Sequence, residues 1–254
     1  MRTVCLIPAR LKSQRLPEKQ IANIAGLPMF AHSYFRAMLT DIEEVYVCTD
    51  SKKVDKIAEN YNIKTILTKT SHKNGTERVS EAASKLNLGK NDTIINLHGD
   101  EPFINPKDLN RMKNYFDDVG TIDVLIPFVK ITEKTNNLNN VKLAVNHENK
   151  VLYLSRSKIP SDFKKDFRVL KQCGVSIYRH SFLKKYLEMD MSVNEKYENI
   201  EIMRAIDNGY NVSGFELKDY FYSVDVKRDL SKANRDMKNN KIFTKYNISN
   251  WHNW

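Results

Sequence analysis

Between residues 8 and 19 the chain reads Pro8-Ala9-Arg10-Leu11-Lys12-Ser13-Gln14-Arg15-Leu16-Pro17-Glu18-Lys19. Arg10 and Arg15 offer forked donors that match two phosphate oxygens at a time, and Lys19 adds a point charge. The segment lacks the glycine spacing and the Gly-Lys-Ser/Thr ending of a Walker A loop, and taken alone it also fits a solvated basic loop. Further on, His98-Gly99-Asp100-Glu101-Pro102 places an acid after a glycine that lets the backbone turn sharply, and Asp225 follows Tyr222-Ser223-Val224. Mg2+ takes one or two carboxylates and completes its shell with substrate phosphates and water. Asp100 and Asp225 together with the cationic loop therefore describe phosphoryl or nucleotidyl transfer on a metal-bound triphosphate.

Such groups need strands that end at one edge of a sheet. Thr3 to Pro8, Val45 to Thr49, Ile63 to Leu67 and Thr93 to Leu97 are short apolar runs, separated by helical stretches near Pro28 to Leu39, Ser51 to Tyr61 and Thr76 to Leu86. In the second of these, Val54, Ile57, Ala58 and Tyr61 share one helical face. Strands buried on both faces and joined by helices predict a mostly parallel α/β sheet with right-handed crossovers, whose ligands bind beyond the carboxyl ends of the strands. The second half is more mixed: a hairpin around His147-Glu148-Asn149, strands at Gly174 to Tyr178 and Tyr222 to Val224, and a helix over Glu198 to Ile206 ended by Asn208-Gly209. With no Pro/Gly/Ser-rich linker and no repeat, the sequence reads as one domain over 1–238 with a small inserted mixed sheet. The Asn- and Lys-rich stretch 239–254 reads as a peripheral tail or dimer arm.

Seven pieces occur in order: Pro8-Ala9-Arg10 through Arg15-Leu16-Pro17 and Lys19; Gly75-Thr76-Glu77-Arg78; Gly99-Asp100-Glu101-Pro102; Asn140-Val141-Lys142; Leu154-Ser155-Arg156 with Ile159-Pro160; Gly174 to Arg179; and Val224-Asp225. In this the chain resembles the 3-deoxy-manno-octulosonate cytidylyltransferases (CMP-Kdo synthetases). The resemblance implies a Rossmann-like, glycosyltransferase-A-like nucleotidyltransferase fold and a homodimer that makes a CMP-sugar and pyrophosphate from CTP and a 2-keto-3-deoxy sugar acid. It further implies that Pro8, Ala9, Arg10, Arg15, Lys19, Thr76, Arg78 and Asp100 surround the nucleotide. Asp100 and Asp225 would hold Mg2+, Arg10 and Lys19 would join them in catalysis, and Arg156 would meet the sugar carboxylate.

The departures concentrate in the part that meets the sugar. Relatives usually have Gln where His98 stands, and His-Leu-Gly-Ile-Tyr-Gly-Tyr where this chain reads Gln172-Cys173-Gly174-Val175-Ser176-Ile177-Tyr178. The usual Glu-Gln-Leu-Arg is aligned with Arg204-Ala205-Ile206-Asp207, which exchanges a Glu for Arg204 and an amide for Ala205. Glu18 replaces a Gly beside the triphosphate loop, and Val226 replaces a Thr. Polar mismatches of this kind cost about 1–3 kcal/mol each when buried. They are therefore an argument for a variant 3-deoxy-ulosonic acid with a further anionic or neutral substituent; the plainer alternative is that His98, Gln172 and Ser176 repack around Kdo.

Other classes fare less well. The 254 residues carry 41 Lys+Arg against 31 Asp+Glu, a net +10, yet hold no basic block of the kind that binds nucleic acid. No apolar run approaches a membrane span or signal segment, which is the expectation for a cytoplasmic protein. Cys5, Cys48 and Cys173 read as buried free thiols, and the histidines, without metal-ligand spacing, mostly as surface or turn residues. A catalytically silent nucleotide-binding relative would ordinarily have lost an acid or the cationic loop, and both are present.

Overall fold

A computed structural model describes residues 1–132, 137–161 and 168–247. The chain opens with β1 (Thr3–Pro8), β2 (Asn23–Ile24), β3 (Leu27–Pro28), α1 (Met29–Met38), β4 (Glu44–Thr49), α2 (Lys52–Glu59), β5 (Thr65–Leu67), α3 (Gly75–Ser84), β6 (Thr93–Leu97) and α4 (Pro106–Val119). It continues with β7 (Val124–Ile131), β8 (Lys142–Val145), β9 (Val151–Ser155), β10 (Val169–Gln172), β11 (Val175–Arg179), α5 (His180–Glu188), α6 (Val193–Glu198), α7 (Met203–Asp207), β12 (Val212–Glu216) and α8 (Lys227–Lys238). These form two compact units: one of Thr3–Leu86, Asn96–Asn110 and the chain from Phe221, the other of Met1–Arg2, Asn87–Ile95 and Arg111–Tyr220. Because the chain passes back and forth, no linker composition marks the division.

The first unit has the expected α/β character. β4 pairs parallel with β1 on one side and β5 on the other, and β1 is buried along nearly its whole length. Helices begin where side chains can cap them: Ser51 Oγ accepts from Val54 N ahead of α2, and Asn74 Oδ1 from Glu77 N ahead of α3. The separate antiparallel β2–β3 pair was not anticipated. His32 and Arg36, one turn apart on α1, are fully buried rather than superficial. Tyr246 explains how: its hydroxyl lies 3.0 Å from His32 Nδ1 and accepts from Arg36 Nε at 3.1 Å, while His32 Nε2 lies 2.8 Å from the Ile24 carbonyl. A carbonyl can only accept, so Nε2 carries the proton and the Tyr246 hydroxyl donates to Nδ1. After α8 the chain is anchored in the unit at Tyr246, while residues 239–245 are exposed or half-buried; Trp251, His252 and Trp254 lie outside the described residues.

In the second unit β7 is the hub. One edge takes β11 at Val124 and Leu125 and β10 at Phe128 to Ile131, both antiparallel, and the other takes β12 in parallel. β10 continues to β8, and β8–β9 is the anticipated hairpin, its turn made by Asn149 in the left-handed region (φ 62°). The helix expected over Glu198 to Ile206 is two helices, because Asn199 adopts φ 52° and ends α6 before α7 begins. Tyr222 to Val224 is not a strand.

Candidate active site

In the first unit the two acids converge. Val224 N donates to the Asp100 carbonyl at 3.0 Å and Ser223 Oγ to Glu101 Oε1 at 2.6 Å, which seats Asp225 beside Asp100. Leu16, Ile24, Met29, Val224, Ala233 and Met237 form one buried cluster that carries the end of the cationic loop and the Asp225 segment together. Gly99 leaves room for Gln20: a Cβ there would lie 2.2 Å from Gln20 Oε1, so a larger residue at the turn would push that side chain aside. Lys19 Nζ then reaches Asp100 Oδ2 at 2.5 Å and Asp225 Oδ1 at 2.6 Å, and Arg15 Nη2 reaches the same Asp225 oxygen at 2.9 Å. Burial works against both charged forms, but the Lys19 ammonium and then His98 hold the Asp100 carboxyl below its ordinary pKa, and the two acids raise that of Lys19.

The neighbouring wall is the start of α3. Ala9 N donates to the Cys48 carbonyl at 2.9 Å, and a Cβ on Gly75 would meet Pro8 Cγ at 3.5 Å, so the end of β1 lies against the first turn of α3. Arg10 Nη1 donates to the Lys73 carbonyl at 3.3 Å, just ahead of that helix. Cationic side chains beside a helix N-terminus suit an anionic ligand. Thr76 is buried in this turn. Arg78, expected to surround the nucleotide, is instead turned into the unit: its Nη1 donates to Thr68 Oγ1 at 2.5 Å and its Nη2 to Asp50 at 3.1 Å. Glu18 sits at φ 51° with its carboxylate on Lys53 at 2.6 Å, not on the loop's arginines. Val226 stands ahead of α8, where the Asp229 carboxylate accepts from its N–H at 3.1 Å. His98 is exposed, its carbonyl held by Ser33 Oγ at 3.2 Å.

Does this donor set fit Mg2+? Two oxygen ligands already gather on one cationic atom, Lys19 Nζ, and hard carboxylate oxygens with room for phosphates and water are what that ion takes. Among the described residues no group of three or more His, Cys, Asp or Glu side chains is arranged to hold a metal ion.

In the second unit three carbonyls hold the Arg156 guanidinium. Its Nε donates to the Glu198 carbonyl at 2.8 Å, Nη1 to the Leu138 carbonyl at 3.0 Å and Nη2 to the Asn199 carbonyl at 3.1 Å. Its own carbonyl accepts from Lys142 Nζ at 2.7 Å. Gln172 ends β10, half-buried, its N–H on the Val141 carbonyl at 2.9 Å; Ser176 is buried in β11 and Ala205 in α7. Arg204 requires a correction. Its Nε and Nη2 grip both oxygens of Glu195 at 2.7 and 2.8 Å, and its guanidinium lies 4.4 Å from the Tyr186 ring centre. Both partners are about 5% exposed, so this cation presents no reversed charge to a sugar.

These features are those of a nucleotide-activating enzyme, and comparison decides which. A family model described as Cytidylyltransferase matches residues 4–223. The chain belongs to the cytidylyltransferase family. It is 37% identical over 242 residues to the 3-deoxy-manno-octulosonate cytidylyltransferase of Francisella tularensis subsp. novicida, covering 91% of this chain and 96% of that one. It is 34% identical over 234 residues to the enzyme of the same name from Nitratiruptor sp., covering 90% and 97%. Its fold matches the solved structure of a CMP:2-keto-3-deoxy-manno-octonic acid synthetase complexed with CTP, with a TM-score of 0.88 and 33% identity over 94% of this chain and 99% of that one. As a cytidylyltransferase the chain is a nucleotidyltransferase enzyme.

A second register is open for the α7 motif. Placed three residues earlier, Glu201-Ile202-Met203-Arg204 keeps both the Glu and the Arg of Glu-Gln-Leu-Arg, and the buried Arg204–Glu195 pair makes sense as structure. Sequence reasoning about this cytidylyltransferase overlooked Lys142's grip on the Arg156 carbonyl, Asp50's on Arg78 and Glu195's on Arg204. A signal existed for the last two: an arginine close to the apolar face of a short helix must find a partner if it is buried.

Proposed function

We propose that the protein transfers the cytidylyl group of CTP to Kdo, releasing pyrophosphate, and that this serves surface polysaccharide synthesis. The observation that carries this reading is the convergence of Asp100 and Asp225 on Lys19 with Arg15 alongside. The likeness to Kdo-activating relatives over nine-tenths of the chain supports the acceptor. With Arg204 occupied by Glu195, the argument for an acceptor with an extra anionic group loses its basis, and Kdo itself is the simpler choice.

In this reading Arg10, Arg15 and Lys19 hold the triphosphate, Thr76 and the first turn of α3 close on it from the other side, and Arg156 receives the carboxylate of the sugar acid. The anomeric hydroxyl attacks the α-phosphorus in line and pyrophosphate leaves. Mg2+, held by Asp100 and Asp225, would supply neutralisation of phosphate charge and a more acidic sugar hydroxyl. The protein's own part is positioning: the Val224–Asp100 bond and the Leu16–Val224 cluster keep acids and cations in register before substrate arrives. His98, Gln172 and Ser176 repack around the acceptor. A single cytidylyltransferase domain, cytoplasmic and homodimeric, is the form the resemblance supports.

Pyrophosphate release across CTP, UTP, ATP and GTP, and across a panel of ulosonic and nonulosonic acids, tests this. CTP with Kdo should give the highest kcat/KM. A higher value for another acid would return the question to His98, Gln172 and Ser176.

A further inference from the structure

The three carbonyls around the Arg156 guanidinium are neutral, so its charge is solvated by dipoles without being cancelled by a carboxylate among the described residues. Two of these carbonyls, those of Glu198 and Asn199, close the C-terminal end of α6, where a helix favours a cation. The left-handed turn at Asn199 ends α6 there. A guanidinium has five N–H donors, and three are engaged here, which leaves capacity for an anion.

What fixes this arrangement is a carboxylate that does not touch the guanidinium. Glu198 Oε1 accepts from Ser155 Oγ at 2.7 Å and Oε2 from the backbone N–H of Arg156 at 2.8 Å, while Tyr153 Oη stands 3.5 Å from Oε1. The side chain of Glu198 thereby clamps the end of β9, and its main chain clamps the guanidinium. One residue sets both the origin and the direction of the Arg156 side chain. Lys142 completes the hold from the opposite side of the peptide.

We propose that Glu198 is a positioning residue for the acceptor: it acts through Arg156 to present a charged, incompletely bonded guanidinium to the carboxylate of the sugar acid. This rests on the reading of Arg156 given above. A hydrogen bond to a charged group contributes enough that its loss changes binding by about tenfold or more.

The experiment is steady-state kinetics of the full chain with CTP and Kdo. Glu198→Ala should raise KM for Kdo by about tenfold or more and leave KM for CTP within about twofold; Glu198→Gln, which retains one acceptor, should recover part of the loss. Should Glu198→Ala fail to fold, Ser155→Ala removes one bond to the same carboxylate and should produce a smaller change in the same constant. Combining Glu198→Ala with Arg156→Lys should cost less than the product of the two single effects, because both act through one side chain. Unchanged KM for Kdo in the folded Glu198 variants, equal rises in both KM values, or multiplicative effects in the double variant would overturn the positioning role while Arg156→Lys still impairs Kdo binding. If Arg156→Lys itself leaves KM for Kdo unchanged, the reading of Arg156 falls and the proposal with it.

Discussion

Replacing Arg204 by Met should damage the fold and spare the chemistry. The Arg204–Glu195 pair is bidentate, about 5% exposed on each side, and packed on Tyr186. Removing one partner of such a pair strands the other's charge in a poorly solvated place, at a cost of about 3–5 kcal/mol. For a chain of this length about 2–4 °C of melting temperature accompanies each kcal/mol, so Arg204→Met should melt roughly 6–20 °C lower. Arg204→Met with Glu195→Leu removes both charges and should recover most of that loss. The assay is thermal unfolding followed by circular dichroism, paired with KM for CTP and Kdo measured well below the transition. Both constants should stay within about twofold, since the guanidinium faces Glu195 and not the acceptor. Melting unchanged to within about 1 °C together with a selective tenfold rise in KM for Kdo would refute the burial argument and return Arg204 to the sugar wall.

Asp100→Asn should abolish turnover in a protein that still folds, and should weaken Mn2+ binding measured by electron paramagnetic resonance in the presence of CTP; undiminished binding would remove Asp100 from the metal site. Acid should weaken the fold through His32. Burial, helped by nearby Arg36 and opposed by the Ile24 carbonyl, lowers its pKa to about 3, whereas the unfolded chain takes up a proton near 6.5, so this contribution is intact above about pH 6.5 and is lost as pH falls from there toward 3. Urea midpoints at pH 7.5 and pH 5 should therefore differ, and a His32 resonance titrating near 6.5 in the native protein would contradict this. Burial pushes the Cys48 thiol up to about 12 and raises that of Cys5 further, and Cys173 is also buried; all three should resist a thiol reagent at pH 8 until guanidinium exposes them, and rapid native reaction would count against the packing.

Elements set by a continuous apolar run were legible in the sequence. β1 and β6 have the expected bounds, Cys5 and Cys48 are buried free thiols as read from their runs, and Cys173 is buried and free as well. The convergence of Asp100 and Asp225 was readable only as residue type, because what joins them is one backbone bond between distant segments, Val224 N to the Asp100 carbonyl. No strand pattern encodes such a bond, so Tyr222 to Val224 was misread as β. Arginines were the weakest point. Their type announces a forked cation and not the direction in which it turns: Arg15 faces Asp225, while Arg78 and Arg204 turn inward to Asp50 and Glu195. His32 and Arg36 could have been read better. They lie four apart on a helix whose other residues are mostly apolar, which brings both to the buried face and obliges each to find a partner.

The most direct test of the central claim is product identification by phosphorus NMR in a mixture of the purified protein, CTP, Mg2+ and Kdo. Attack by the sugar on the α-phosphorus predicts a new phosphodiester resonance and pyrophosphate in equal amounts, both absent without Kdo and both absent with Asp100→Asn. Formation of CMP and pyrophosphate irrespective of Kdo, or consumption of CTP undiminished in Asp100→Asn, would contradict it.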